Sequence, residues 1–232
     1  YPHEFLQHVG LPDIYKLRRL YQDSAQPVSF LDGPMDYHRT RIEKLYQGFF
    51  RMEKWFVQHA LFNGGMSPEI ARELIVRPEA ACVLLYDPIR RKIVLIEQFR
   101  APAIEGGAPW LLELVAGLLD KPDEPPEEVA RREALEEAGL TIKRIEKITE
   151  YWSSPGASNE KVHLFVGEVD VTHAGGVHGL IEEGEDIRVN VFELSLAKAL
   201  LATGRVCNGA AIIALQWFLL NERALTERWL VK

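Results

Sequence analysis

The most constraining feature of this sequence is one short helix, which lies inside residues 117–140. Pro125 and Pro126 predict its start, because the first N–H groups of a helix have no intrahelical partner to lose. Gly139 predicts its end, since glycine readily adopts the left-handed conformation that closes a helix. Roughly three helical turns lie between these signals.

The glutamates of this helix are concentrated on one side. At about 100° per residue, Glu133, Glu136 and Glu137 fall within one arc of roughly 100°. The adjacent stripe is made of alanines, Ala130, Ala134 and Ala138. Like charges at these spacings oppose helix formation, so we expect a cation beside them. Carboxylate oxygens suit Mg²⁺ or Mn²⁺, and Arg132, four residues before Glu136, can orient that carboxylate.

A solvated helix with ordinary Glu–Arg pairs is the alternative interpretation of this periodicity. The spacing argues against it, because it resembles the Nudix box, G-x5-E-x7-R-E-U-x-E-E-x-G-U with U aliphatic. The matching residues are Gly117, Arg132, Glu133, Glu136, Glu137 and Gly139. A chance match at a given start is on the order of 10⁻⁷. One departure exists: Glu124 follows Gly117 after six residues, which predicts a one-residue insertion in the turn at 121–123.

Composition narrows the function classes. The chain has 232 residues, of which 47% are hydrophobic, so it can bury a sizeable core. A net charge of −7 argues against a nucleic-acid partner. The apolar run at 210–220 is too short to span a membrane, so no membrane partner is expected. The composition suits a reducing cytoplasm. Cys82 and Cys207 predict buried free thiols rather than a disulfide framework.

Patterning along the chain predicts strands before and after the acidic helix and helices at the end. Two antiparallel strands are expected from about residue 40 to a turn at 63–65. Further predicted strands are 80–86, 93–99, 110–116, 142–152, 161–169 and 186–192. Ser195 is expected to cap a helix ending before Gly204, followed by a helix over 209–221 and a short last one. A short amphipathic helix is plausible at 14–21, and the pattern as a whole predicts an α/β sandwich of mixed sheets.

Beyond the box, the chain resembles the bacterial ADP-ribose pyrophosphatases of the Nudix superfamily over about residues 46–229. The stretches that carry the similarity are Y-Q-G-F-F, F-N-G-G-M-S, I-E-Q-F-R, P-W-L-L-E-L-V-A-G, S-S-P-G-A-S-N-E, H-G-L-I-E-E-G-E-D-I-R-V and A-L-Q-W. The resemblance implies a Nudix-type α/β/α sandwich with an N-terminal antiparallel β unit. It also implies hydrolysis of ADP-ribose to AMP and ribose 5-phosphate with two or three Mg²⁺ ions, Mn²⁺ being possible.

The resemblance divides the chain into three parts. These are an extension over 1–37, a β unit over 38–76 that is exchanged in a homodimer, and a Nudix hydrolase domain over 77–232. Two functions stay open beside ADP-ribose hydrolysis. One is hydrolysis of other nucleoside diphosphate sugars, and the other is a sensor that binds ADP-ribose without cleaving it.

Site residues follow from the matched motifs. The implied metal ligands are Glu133, Glu137, Glu185 and the carbonyl of Ala116. The implied catalytic residues are Glu183 as general base, with Glu136 and Arg132 in support. The implied substrate contacts are Arg72, Arg100, Phe49, Glu113 and Pro155.

Purely structural roles remain as alternatives for several of these residues. The acidic loop with Glu183 and Glu185 can be a solvated turn. Arg72 and Arg100 suit phosphate oxygens but can also form surface salt bridges. Phe49 can stack on adenine or belong to the core. A proline in a loop such as Pro155 is otherwise only a turn residue.

Overall fold

A computed structural model of the chain describes residues 36–180, 182 and 184–230. The extension predicted at 1–37, apart from its last two residues, and the helix predicted at 14–21 lie outside the described residues. The described chain forms two compact units, one of residues 36–44 and 54–73 and the other of 45–53 and 74–230. The three-part division predicted from the sequence stays a prediction.

Eleven strands and three α-helices make up the fold of the described residues. The strands are β1 Tyr37–Gln47, β2 Arg51–His59, β3 Ile70–Val76, β4 Ala80–Asp87, β5 Lys92–Phe99, β6 Trp110–Glu113, β7 Val115–Leu118, β8 Ile145–Trp152, β9 Lys161–Glu168, β10 Gly176–His178 and β11 Ile187–Glu193. The α-helices are α1 Pro126–Ala138, α2 Ala197–Ala202 and α3 Gly209–Leu230. Two 3₁₀ helices are Ala101–Gly106 and Leu194–Leu196.

The strands form two sheets. The first is antiparallel, with the order β1–β2–β3. The second has eight strands, with β10–β11–β5–β4–β9–β8 as its main path, β6 beside β5 and β7 beside β4. In this sheet β4 and β9 run parallel, whereas β4 and β5 run antiparallel. The predicted mixed α/β fold with an N-terminal antiparallel unit is confirmed.

The central strands β4 and β5 are buried on both faces, as the apolar runs predict. Along β4, Ala81, Val83 and Leu85 pack in one core with the buried alanines of α1. The alternate residues Cys82, Leu84 and Tyr86 pack in a second core with α3, whose fully buried side chains include Phe218. The mixed sheet therefore lies between α1 and α3, which gives three layers.

The sequence wrongly predicts a single strand over 110–116. Trp110–Glu113 pairs with β5, whereas Val115–Leu118 pairs with β4, and the break falls at the buried Leu114. The chain thus crosses from one central strand to the next just before the acidic helix. The short strand β10, paired with β11, is an additional element that the pattern does not predict.

The C-terminal predictions also need correction. Ser195 lies within a 3₁₀ turn and makes no side-chain cap, although the chain does turn at Gly204 with a φ of 71°. The last two predicted helices are one continuous helix, because no glycine or proline follows Gly209 and Asn221 bonds back to the Trp217 carbonyl. Cys82 is buried as predicted, but Cys207 is exposed. Within the described residues, no helix has the length and apolar character needed to cross a bilayer.

Candidate active site

The acidic helix is formed as its sequence predicts, with Pro126 at its first position and Gly139 closing it at a φ of 65°. Its alanine stripe is buried against the sheet, and this places Glu137 inside the protein with 3% of its surface exposed. The Ala116 N–H on β7 donates to Glu137 Oε2 over 2.9 Å. A backbone group of the neighbouring strand therefore fixes the innermost carboxylate.

Arg132 links the other carboxylates of the helix. Its Nη1 donates to Glu133 Oε1 over 2.7 Å and to Glu136 Oε2 over 2.9 Å. Its Nε donates to Glu124 Oε1 over 3.2 Å. The extra residue before Glu124 is accommodated in a turn where Asp123 has a left-handed φ of 62°. The insertion therefore leaves Glu124 within reach of the guanidinium, and one cation serves three carboxylates.

Burial and mutual repulsion make this cluster favourable for a cation. Burial raises the pKa of Glu133 to about 7; the Arg132 charge lowers this pKa, while the Glu136 and Glu185 charges raise it. Burial likewise raises the pKa of Glu137 to about 8; the hydrogen bond from Ala116 lowers it, and Glu133 and Glu185 raise it further. Carboxylates that resist ionisation next to one another are stabilised by a bound cation.

The donor set fits a divalent metal. Glu133, Glu137 and Glu185 carry carboxylate oxygens, the donor type that Mg²⁺ and Mn²⁺ prefer, and their charges influence one another. Within the described residues, no three acidic, histidine or cysteine side chains are close enough to enclose an ion.

Gly117 lies against the side chain of Glu133. A Cβ on Gly117 would overlap the carboxyl and Cγ atoms of Glu133. The glycine is therefore needed for space and not for an unusual backbone angle, since it lies in the regular strand β7. This close approach lets a strand and the acidic helix share one site.

Replacement of Gly117 by alanine should displace Glu133 and impair metal-dependent turnover. We expect a fall of about 10- to 100-fold, the range found when groups that orient a metal ligand are lost. A matched control is Gly106→Ala, because a Cβ there meets no atom within 4 Å. Steady-state kinetics across a Mg²⁺ titration measure both variants, and normal activity in Gly117→Ala would contradict this role.

The acidic loop after β10 is described only in part, because Ile181 and Glu183 lie outside the described residues. Gly184 adopts a left-handed φ of 70°. Glu185 Oε2 accepts a hydrogen bond of 3.0 Å from the Leu180 N–H, which folds its side chain back over the start of the loop. The charge of Glu185 acts on Glu133 and Glu137, so this loop side chain and the helix carboxylates belong to one electrostatic cluster.

Arg100 and Glu113 lie at the ends of β5 and β6. Arg100 donates from Nε over 2.9 Å and from Nη2 over 2.8 Å to the same oxygen, Glu113 Oε2. Glu113 is buried, and its other oxygen accepts from Asn208 Nδ2 over 2.9 Å. Arg100 is thus in an ion pair, yet about half of its side chain remains exposed.

The remaining predicted substrate contacts are spread over the chain. Phe49 is 87% exposed in the turn between β1 and β2, so the core alternative fails within the described chain, and its ring meets Phe50 edge to face. Pro155 lies in the exposed turn between β8 and β9. Arg72 is exposed on β3, in the other compact unit, and donates to the carbonyl of Ala71. Their roles stay predictions.

Residues 76–209 of this chain match the NUDIX domain. The match includes the acidic helix, both strands that flank it and the acidic loop. The chain belongs to the Nudix family. This Nudix chain is 46% identical over 204 residues to an ADP-ribose pyrophosphatase of Escherichia coli K12, covering 88% of the chain and 96% of that protein. It is 43% identical over 191 residues to an ADP-ribose pyrophosphatase of Haemophilus influenzae, covering 81% and 88%.

The chain is also similar to a protein named for a different substrate and to a solved structure. A GDP-mannose pyrophosphatase of Pectobacterium atrosepticum is 35% identical to this Nudix chain over 188 residues, covering 78% of the chain and 92% of that protein. A solved structure described as an ADP compounds hydrolase matches with a TM-score of 0.61 and 19% identity, covering 84% and 96%. At that identity the structural match supports the fold alone.

One contact of the site was missed by the sequence analysis. Asn208 does not belong to the Nudix box, but it lies directly before a long helix, where asparagine is a strong capping residue. That local signal was available in the sequence. Its second contact, with Glu113, was not, because the two residues are distant in the chain.

Proposed function

We propose that this Nudix chain hydrolyses the pyrophosphate bond of ADP-ribose, giving AMP and ribose 5-phosphate. The observation that carries the proposal is the acidic cluster of the buried Glu137 and the partly buried Glu133 on α1, coupled electrostatically to Glu185. Such a cluster suits a metal-dependent reaction at phosphate groups. The 46% identity to an ADP-ribose pyrophosphatase over most of both chains supports the choice of substrate.

The proposed metal ligands are Glu133, Glu137, Glu185 and the carbonyl oxygen of Ala116. We propose Mg²⁺, with Mn²⁺ as an alternative, at two or three ions per site. When bound, these ions neutralise the phosphate charge, position a water and stabilise the leaving phosphate.

The chain's own residues then have distinct tasks. The Ala116 N–H holds Glu137 in place, and Arg132 orients Glu133 and Glu136. Glu183 is proposed to take the proton of the attacking water, a role that rests on the family resemblance. Arg100 is proposed to bind phosphate oxygens, because about half of its side chain is exposed. Its charge also acts on the acidic cluster, since it lowers the pKa of Glu137 against the larger effect of burial.

Other nucleoside diphosphate sugars form the second candidate substrate class. The 35% identity to a GDP-mannose pyrophosphatase supports it. A sensor that binds ADP-ribose without cleavage would be expected to lack part of the acidic cluster. Both proposed metal ligands of the helix, Glu133 and Glu137, are present here.

Product analysis tests the proposed reaction. The purified chain is incubated with ADP-ribose and Mg²⁺, and the nucleotides are separated by ion-exchange chromatography. We expect AMP and ribose 5-phosphate in equal amounts, and no product when EDTA replaces Mg²⁺. Binding of ADP-ribose by calorimetry without any product would instead establish the sensor.

Two glutamates of the acidic loop should respond differently to Mg²⁺. A general base contributes about 10² to 10⁴ in rate, so Glu183→Gln should lower kcat by that order. The Mg²⁺ concentration for half activity should change little. Glu185→Gln removes a proposed ligand and should raise that concentration. A Mg²⁺ titration of both variants separates the roles, and the reverse pattern would show that the two assignments are exchanged.

A homodimer is proposed because the N-terminal strands and turns expose large apolar side chains. The most exposed are Phe62, Phe49 and Tyr37, followed by Tyr46. Apolar groups in such density on a small sheet mark a contact surface. Sedimentation equilibrium should give a mass of twice 26.4 kDa for the chain described. A fully active monomer would contradict the dimer.

A cytoplasmic location stays a prediction.

A further inference from the structure

Glu113 is a buried carboxylate whose two oxygens are both engaged by protein groups. It is 5% exposed. One oxygen accepts two N–H groups of Arg100, at 2.9 and 2.8 Å, and the other accepts the Asn208 amide at 2.9 Å. A buried charge is tolerated when it is paired and hydrogen-bonded in this way. Its geometry therefore serves to hold Arg100 rather than to contact a substrate.

Asn208 connects this ion pair to the end of a helix. It precedes α3, and its Oδ1 accepts a hydrogen bond of 3.2 Å from the Ala211 N–H, the usual N-cap contact. Its main-chain carbonyl accepts from the Ile212 N–H over 3.0 Å. The amide nitrogen then points to Glu113. Since one end of the amide accepts and the other donates, the cap fixes the direction in which the donor is presented.

The turn that carries Asn208 is bonded to strands of the mixed sheet. Arg205 forms an ion pair with Glu97 of β5 and donates to the Trp110 carbonyl of β6 over 3.3 Å. Val206 is buried, and its N–H donates to the Leu200 carbonyl over 3.2 Å. The position of Asn208 is therefore fixed relative to β6, which carries Glu113, and to β5, which Arg100 directly follows.

The geometry points to Asn208 as a positioning residue for phosphate binding: its amide holds the Glu113 carboxylate, which in turn holds the Arg100 guanidinium at the acidic cluster. This inference rests on the proposed function, in which Arg100 binds phosphate oxygens. It reassigns Glu113 from a substrate contact to a group that acts through Arg100. Substrate affinity then depends partly on a residue at the start of α3, which acts through Glu113 and Arg100.

Substitution of Asn208 by serine tests the inference, because serine keeps a capping oxygen but lacks the long amide donor. With ADP-ribose and saturating Mg²⁺, we expect KM to rise about tenfold, as for a lost hydrogen bond to a charged group. The melting temperature should change little. The matched control is Asn221→Ser, which removes an amide hydrogen bond of 2.7 Å to the Trp217 carbonyl on the same helix. Its KM should equal that of the wild type.

A double-mutant cycle separates positioning from a general structural effect. If Asn208 acts through Arg100, then Asn208→Ser should have less than a twofold effect on KM when Arg100 is already alanine. Equal effects of Asn208→Ser in both backgrounds would overturn the inference, and so would a single variant with normal KM. If the serine variant does not fold, Asn208→Asp keeps the cap, places a like charge against Glu113 and should raise KM further.

The same measurements distinguish failure of the inference from failure of the proposed function. A wild-type chain that turns over ADP-ribose, together with unchanged kinetics in Asn208→Ser and Asn208→Asp, would overturn only the role of Asn208. A wild-type chain without ADP-ribose turnover would overturn both.

Discussion

Replacing Glu137 with glutamine should reduce metal-dependent turnover by about 100-fold or more, while the metal-free protein stays at least as stable as the wild type. Loss of groups that only orient a metal ligand costs about 10- to 100-fold, so loss of a ligand should cost at least as much. Stability should hold or rise, because burial and the neighbouring carboxylates already raise the pKa of Glu137 to about 8. A neutral amide removes that repulsion, and its oxygen can still accept the Ala116 N–H.

Glu128→Gln is the matched control for this prediction, because it makes the same change on the same helix at an exposed position. The ion pair of Glu128 with Arg131 is a long one of 3.8 Å. Thermal melting in EDTA and kinetics at saturating Mg²⁺ compare the two variants. Near-normal turnover in Glu137→Gln would refute its assignment as a ligand. Unfolding of the variant in EDTA would show that the carboxylate serves the fold.

Replacing Arg132 with glutamine should have the opposite effect on stability. The guanidinium is bonded to Glu124, Glu133 and Glu136, and its removal leaves three carboxylates without that cation. Breaking a buried ion pair costs about 3–5 kcal/mol, but Arg132 keeps a quarter of its side chain exposed, so we expect about 1–3 kcal/mol. Turnover should fall about 10- to 100-fold, because the proposed ligand Glu133 loses its orienting group.

Added Mg²⁺ provides the internal test of this explanation. A divalent ion replaces part of the missing positive charge, so Mg²⁺ should raise the melting temperature of Arg132→Gln by more than it raises that of the wild type. Arg131→Gln is the control, because the neighbouring arginine bonds to Glu127 and the Ile142 carbonyl, away from the cluster. Equal Mg²⁺ responses in Arg132→Gln and Arg131→Gln would contradict the electrostatic account.

Local signals were sufficient to predict the acidic helix and the two central strands. Proline at the first helical position and glycine at the C-terminus act within one turn, and the observed helix runs from Pro126 to Ala138. Apolar runs likewise predict strands that are buried on both faces. The split at Leu114 could not be predicted, because it depends on which distant strands the chain pairs with. The predicted division of α3 near Asn221 was wrong, since no glycine or proline interrupts the helix after Gly209.

The candidate site, like the fold, could be predicted from the sequence only where the signal is local. A spacing motif predicts Glu133, Glu137 and Arg132 because they share one helix, whose geometry is set by sequence separation alone. Glu113 illustrates the limit, since only the fold shows that Arg100 and Asn208 use both of its oxygens. The family resemblance predicts Glu113 as a substrate contact, whereas its hydrogen bonds with Arg100 and Asn208 are visible only in the fold.

A comparison of kcat/KM among nucleotide substrates tests the central claim most directly. The purified wild-type chain is given Mg²⁺ and, in separate assays, ADP-ribose, ADP-glucose, GDP-mannose, NADH and diadenosine polyphosphates, and kcat/KM is measured for each. We expect the highest kcat/KM for ADP-ribose, with AMP and ribose 5-phosphate as products. A higher value for GDP-mannose or any other substrate of the set would contradict the assignment of ADP-ribose as the main substrate.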